Sequence, residues 1–242
     1  MLSRVTHPNH ARILSSFAQR ESHLLRLARV FVDPPEAVVD EARATFAQMI
    51  PTMAYLDDPD AAMADNVFEC DALLALFLAL RERGVGVHDF GRAVIANFPD
   101  AEPEPREGAL RDARTPRERF EAFIAAGEAS ARDPKPGRFV FDAHFGDRRE
   151  TDWSLNVRSC AICHSFGKRG AMDLVPYMCA TDDVSSDRSG QGLRRSGTIA
   201  LGASHCDFAY KRGGEPRRLA ELYPERIQLD AHPSDAADAN DD

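Results

Sequence analysis

The chain has 242 residues (26.7 kDa), 43% hydrophobic and 29% charged, which is ordinary for a globular protein with ample material for a core. Its formal charge of −9 and pI near 5.4 argue against a nucleic-acid backbone or an anionic membrane as the main partner. No run approaches the ~18 consecutive apolar residues of a spanning helix. The stretch from Met1 to Arg20, broken by His7, Pro8, Asn9, His10 and Arg12, has no continuous apolar segment of the kind a secretion signal carries. The expected location is therefore the cytoplasm, where the five cysteines are free thiols or ligands rather than disulfides.

Residues 1–32 read as an amphipathic helix, with Ile13, Leu14, Phe17, Leu24 and Leu25 at helical spacing. Asp33-Pro34-Pro35 stops it and starts a second helix over 35–50 that buries Val38, Val39, Ala42, Phe46 and Met49. Residues 61–83 are apolar nearly all round, which predicts a central helix, inside one subunit or between two copies of a homo-oligomer. Cys70 on this helix reads as a small buried hydrophobe. A helix over 88–98 follows, then a proline- and charge-rich connector over 99–115, then a helix over 116–131.

Beyond the break at Pro134 and Pro136 the period changes to two. Strands are predicted over 138–145 and 153–158, a short helix over 172–180 and a polar loop over 185–192. A hairpin of residues 193–201 and 206–211 around Gly202-Ala203-Ser204 completes an antiparallel sheet. The fold class is α+β: a helical N-terminal layer (1–132) packed on a small antiparallel sheet in a cysteine-rich part (133–225). An acidic tail over 226–242 is expected to be disordered.

Residues 152–212 hold the only tryptophan and four of the five cysteines, Cys160, Cys163, Cys179 and Cys206, together with His164, Asp182-Asp183 and Arg194-Arg195. Soft and polar side chains gathered this densely point to a site, although any one cysteine alone would read as a packing residue. Three chemistries fit. Cys160-Ala-Ile-Cys163-His164 matches the c-type haem attachment string, against which the cytoplasmic expectation stands. Cys160, Cys163, Cys179 and Cys206, with His164 and His205 as alternates, could hold zinc or another divalent metal, yet only one C-x-x-C half-knuckle is present. One cysteine could instead be a nucleophile activated by His164, His205, Asp182 or Asp207. Asp207 follows Cys206 on a predicted strand, so their side chains point to opposite faces, which leaves Asp207 to hold a turn or a loop arginine.

The order Asn156-Val-Arg-Ser-Cys160, Cys179-Ala-Thr-Asp182, Gly192-Leu-Arg-Arg-Ser-Gly-Thr198-Ile-Ala-Leu-Gly202 and Cys206-Asp207-Phe208 resembles the L-2-amino-thiazoline-4-carboxylic acid hydrolase family. The resemblance is specific over roughly 150–212 and one of pattern over the helical half; Cys163-His164 directly after Cys160 departs from it. It implies opening of a 2-amino-thiazoline ring at the C=N carbon by water or thiolate, giving a carbamoyl-cysteine. Such chemistry needs a nucleophile, a proton donor and a cation for the substrate carboxylate. Carried over by residue type and position, the candidates are Cys160, Cys179, Cys206, Asp182 and His164 for catalysis. Arg195, as carboxylate clamp, with Thr198 and Asp207 would bind the substrate. The alternative functions are a non-catalytic module binding a small molecule or metal, and a haem or metal redox protein.

Overall fold

The computed structural model describes residues 7–98 and 115–229. Four helices form the N-terminal layer: α1 (His10–Ala28), α2 (Glu36–Met49), α3 (Ala64–Arg81) and α4 (Val87–Ala96). Twelve of the eighteen residues of α3 are buried, as its apolar circumference requires, and it packs on α1, α2 and α4 within the one chain. The central position expected for this helix is thus filled by intrachain neighbours. Ile13, Phe17, Leu24 and Leu27 of α1 and Val38, Val39, Ala42 and Phe46 of α2 supply the facing stripes. Among the described residues no helix is long and apolar enough to cross a membrane.

Helix α5 (Pro116–Arg132) opens on a reciprocal cap. Thr115 Oγ1 accepts from the Glu118 N–H, and Glu118 Oε2 accepts from the Thr115 N–H. It lies along β1 (Val140–Phe145), and Gly127 permits the approach, since a Cβ there would stand 3.0 Å from the Phe141 ring. Strands β1, β2 (Trp153–Ser159), β3 (Leu193–Arg194) and β4 (Cys206–Tyr210) form one antiparallel sheet in the order β1-β2-β4-β3. Val157 faces Cys206, Leu155 faces Phe208 and Trp153 faces Tyr210 across the ladder, so these alternate residues share one face. The α+β architecture matches the sequence expectation.

Two helices join the layers. Helix α6 (Ala161–Gly167) packs on α3, and α7 (Val175–Ser189) packs on α4, β3 and the short α8 (Leu219–Leu222). Gly91 of α4 lets α7 come close, because a Cβ there would sit 2.3 Å from the Tyr177 ring.

Three local expectations are corrected. The helix expected to end at 180 runs to Ser189, and the polar loop expected over 185–192 is largely its last turns. Asp183 and Ser186, which read as loop residues, have tertiary partners instead: Asp183 pairs with Arg195, and Ser186 Oγ accepts from the Leu193 N–H at 2.8 Å. The expected long hairpin is reduced to Leu193–Arg194 paired with Ala209–Tyr210. Asp207 captures the Ser196 and Gly197 N–H groups, and those donors are lost to the ladder. Residues 160–167, unassigned by periodicity, are a helix capped by Cys160. Ile227 is buried in the core, so packed chain extends past 225. The rest of the acidic tail from 230, and the connector over 99–114, lie outside the described residues.

Candidate functional site

Four elements bring one residue set together. Cys70 comes from α3, Cys160 from the residue capping α6, Cys179 and Asp182 from α7, and Cys206 from β4. Cys179 and Asp182 are three apart on α7 and share a face. Cys70 feels the charge of Asp182 and Cys160, and Cys179 feels Cys160, Cys206, Asp182 and Arg195. Cys206 feels Cys160, Arg195 and Asp182. Cys163 lies against Cys160, its N–H donating to Cys160 Sγ at 3.4 Å. All five thiols are free.

Asp182 lies deep in the molecule, yet 45% of its side-chain surface is accessible. Its carboxylate is thus crowded by neighbouring side chains while part of its surface stays open. Its Oδ2 accepts from Arg195 Nη1 at 3.1 Å, and among the described residues its Oδ1 has no hydrogen-bond partner. Burial raises its pKa to about 6, against the opposing pull of Arg195. Cys70, Cys160 and Cys179 are likewise only partly covered.

Arg195 is 2% exposed and committed to the protein. Its Nη2 donates to Asp183 Oδ1 at 2.6 Å and to the Cys179 carbonyl at 2.8 Å, and its guanidinium lies over the Phe208 ring at 5.0 Å. Asp183 completes its own partners by accepting from the Leu219 N–H at 2.9 Å. The cation expected to grip a substrate carboxylate therefore already holds two carboxylates of its own chain. Only its Nε, buried, has no partner.

The thiols do not offer a ready thiolate. Cys160 is held well above the ordinary thiol pKa by its hydrogen bond with Cys163 and by burial, and Cys70 and Cys179 by burial. Cys206 is pushed up to about 11 by burial. Each is a neutral S–H near pH 7, a soft and polarisable surface rather than a nucleophile in waiting.

The remaining candidates separate from this cluster. His164 is exposed and packs over Gly137, where a Cβ would meet its ring at 2.6 Å; desolvation, Lys168 and Arg169 lower its pKa. Cys160 faces the core and His164 the surface, so the C-x-x-C-H residues do not present to one haem. His205 is exposed, its Nδ1 3.0 Å from Ser204 Oγ. Asp207 is on the opposite sheet face from Cys206 and ties the turn at Ser196 and Gly197, bonds that outweigh partial burial and lower its pKa. Thr198 is fully buried and its Oγ1 has no partner. Among the described residues no three His, Cys, Asp or Glu side chains are placed to hold a metal ion. The sulfurs of Cys160 and Cys206 accept from the N–H groups of Cys163 and Ile199.

Sequence reasoning missed Cys70, Phe208 and Tyr210 as site residues. Tyr210 lies flat on Trp153 at 3.8 Å between ring centroids and lines a surface hollow of about 390 Å³ with Asp152, Gln191, Lys211 and Arg212. Burial and Asp182 both raise its pKa. The available signal for Cys70 was the polar triplet Glu69-Cys70-Asp71 inside an otherwise apolar helix.

Neither a curated protein nor a solved structure matches the chain. The family model for L-2-amino-thiazoline-4-carboxylic acid hydrolase matches residues 66–210, a span that takes in the elements carrying this cluster, from α3 to β4. With more than half of its length matched, and with Cys70, Cys160, Cys179, Asp182 and Cys206 all inside the match, the chain belongs to the L-2-amino-thiazoline-4-carboxylic acid hydrolase family.

Proposed function

We propose that the protein hydrolyses a C–N bond in a small cyclic amidine of the 2-amino-thiazoline-4-carboxylate type, with water as nucleophile and Asp182 as the group that moves the proton. The observation that carries this reading is Asp182 itself: a half-covered carboxylate beside the thiol cluster, anchored through Oδ2 and open at Oδ1. An amidine presents N–H donors on a planar carbon, and the open oxygen of a fixed carboxylate receives one of them. A pKa of about 6 suits a group that must take a proton from water and return it to the ring nitrogen near neutral pH.

The roles given to other residues change accordingly. Arg195 orients Asp182 and keeps part of its charge, so it is a positioning residue, not a substrate clamp. The thiols of Cys160, Cys179 and Cys206 form a neutral wall suited to the ring sulfur, and water replaces thiolate as the attacking species. Water adds to the C=N carbon while Asp182 Oδ1 accepts its proton. Asp182 hands that proton to the ring nitrogen, and the tetrahedral intermediate then breaks its C–N bond as its hydroxyl proton passes through Asp182 to the same nitrogen and the C=O forms, leaving an S-carbamoyl-cysteine.

The test is mass-spectrometric detection of carbamoyl-cysteine from L-2-amino-thiazoline-4-carboxylate and the purified full chain. Asp182→Asn, which keeps an oxygen for Arg195, should lower kcat by about 10²–10⁴ with unchanged circular dichroism. Wild-type kcat/KM should rise with pH through about 6, as the base form of Asp182 accumulates. A fully active Asp182→Asn protein would remove the assigned role. Tight binding without turnover by the wild type would show a binding module in place of an enzyme.

A further inference from the structure

Outside the proton-transfer role of Asp182, Cys160 and Cys163 are brought together at the start of α6. We infer that they form a reversible dithiol–disulfide couple, oxidised by peroxide or a small-molecule disulfide and reduced by small thiols.

Cys160 is the residue that caps α6 and Cys163 is in its first turn. The helical path brings their side chains to one side, and the Cys163 N–H donates to Cys160 Sγ at 3.4 Å. A disulfide needs Cβ atoms about 3.5–4.5 Å apart, and adjacency of this kind requires little backbone movement. The spacing C-x-x-C is also the one that redox-active pairs use. Among the described residues no hydrogen bond joins Cys160 to Cys179 or Cys206. Neither thiol of the pair is already in a disulfide.

The chemistry balances with hydrogen peroxide as the two-electron acceptor. The Cys163 thiolate attacks one peroxide oxygen, forming a sulfenic acid and releasing hydroxide. Cys160 sulfur then attacks Cys163 sulfur, the S–O bond breaks, and the Cys160 proton leaves with the departing oxygen as water. Two molecules of a small thiol reverse the step, supplying two electrons and two protons and leaving as their own disulfide. Oxidation removes the Cys160 S–H from the cluster that it shares with Cys70, Cys179 and Cys206.

The experiment uses the folded full-length protein and does not depend on its turning over any substrate. Reduced protein is treated with a small excess of hydrogen peroxide, quenched in acid, unfolded and alkylated. Five alkylatable thiols should fall to three. Trypsin should then release the peptide between Arg158 and Lys168, which contains both cysteines, lighter by two hydrogen atoms and without alkyl groups. Dithiothreitol should restore all five thiols. Cys163→Ser should start at four and lose no pair. A disulfide from Cys160 to Cys70, Cys179 or Cys206, loss of a pair in Cys163→Ser, or overoxidation of single cysteines with no disulfide would each overturn the proposal.

Discussion

Asp183 on α7 and Asp71 on α3 are both buried carboxylates, and the two seams that hold them are built differently. At the α7 seam both oxygens of Asp183 are satisfied, one by Arg195 and one by the Leu219 N–H. At the α3–α6 seam Asp71 Oδ1 accepts from Ser165 Oγ at 2.5 Å, while Oδ2 is buried without a partner. The nearest cation, Arg169, reaches Asp71 only through Ser165, donating to its Oγ at 2.9 Å. Burial therefore dominates there and raises the Asp71 pKa to about 6. A carboxylate with a full set of donors anchors a fold, whereas one with a single hydroxyl titrates close to neutrality. Asp182 lies between these cases, with one oxygen on Arg195 and one open, and that half-satisfied state is what a proton-transfer group requires.

The comparison breaks most sharply at Arg195. Arg195→Met removes the cation shared by two carboxylates and leaves both without it, a change worth about 3–5 kcal/mol of stability. Urea unfolding should show that loss at pH 7 and a smaller one at pH 5, where Asp182 takes up a proton. An unchanged urea midpoint at pH 7 would mean that Arg195 anchors nothing.

Asp71 gives the next effect, through pH. Its folded pKa of about 6 stands above the unfolded value near 3.8, so its share of stability is full below about pH 4 and is lost as pH rises through 6. A shift of that size is roughly 3 kcal/mol at most. Asp71→Asn does not titrate, so the difference in unfolding free energy between wild type and variant should change by up to that amount between pH 4 and pH 7. A constant difference across that range would place the Asp71 pKa near its ordinary value.

Thr198 offers the smallest effect. Its buried hydroxyl has no partner, and Thr198→Val replaces it with a methyl of similar shape. Relief of the unpaired hydroxyl should raise stability by about 1 kcal/mol, or roughly 2–4 °C in Tm for a chain of this size. A lower Tm would show that the hydroxyl has a partner in solution, such as a bound water.

The elements themselves were legible because each carries its own period. Apolar residues three and four apart marked α1 and α2, an unbroken apolar run marked α3, and alternation marked β1 and β2. The motif block from Asn156 to Phe208 likewise identified the family, since those residues are near one another in sequence. Assembly of the site was not legible in this way. Cys70 is ninety residues from Cys160 and looks like any small side chain in an apolar helix, until α6 folds onto α3. Arg195 reads as a free cation until α7 continues past residue 180 and brings Asp182 and Asp183 beneath it. His164 adjoins Cys163 in the chain, yet the turn of a helix sends it to the surface over Gly137. Local periodicity and motif order are set by neighbours along the backbone, so the sequence determined the helices, the sheet and the family. Which thiols meet, which carboxylate stays open and which arginine is already occupied depend on contacts between distant segments, and only packing decides those.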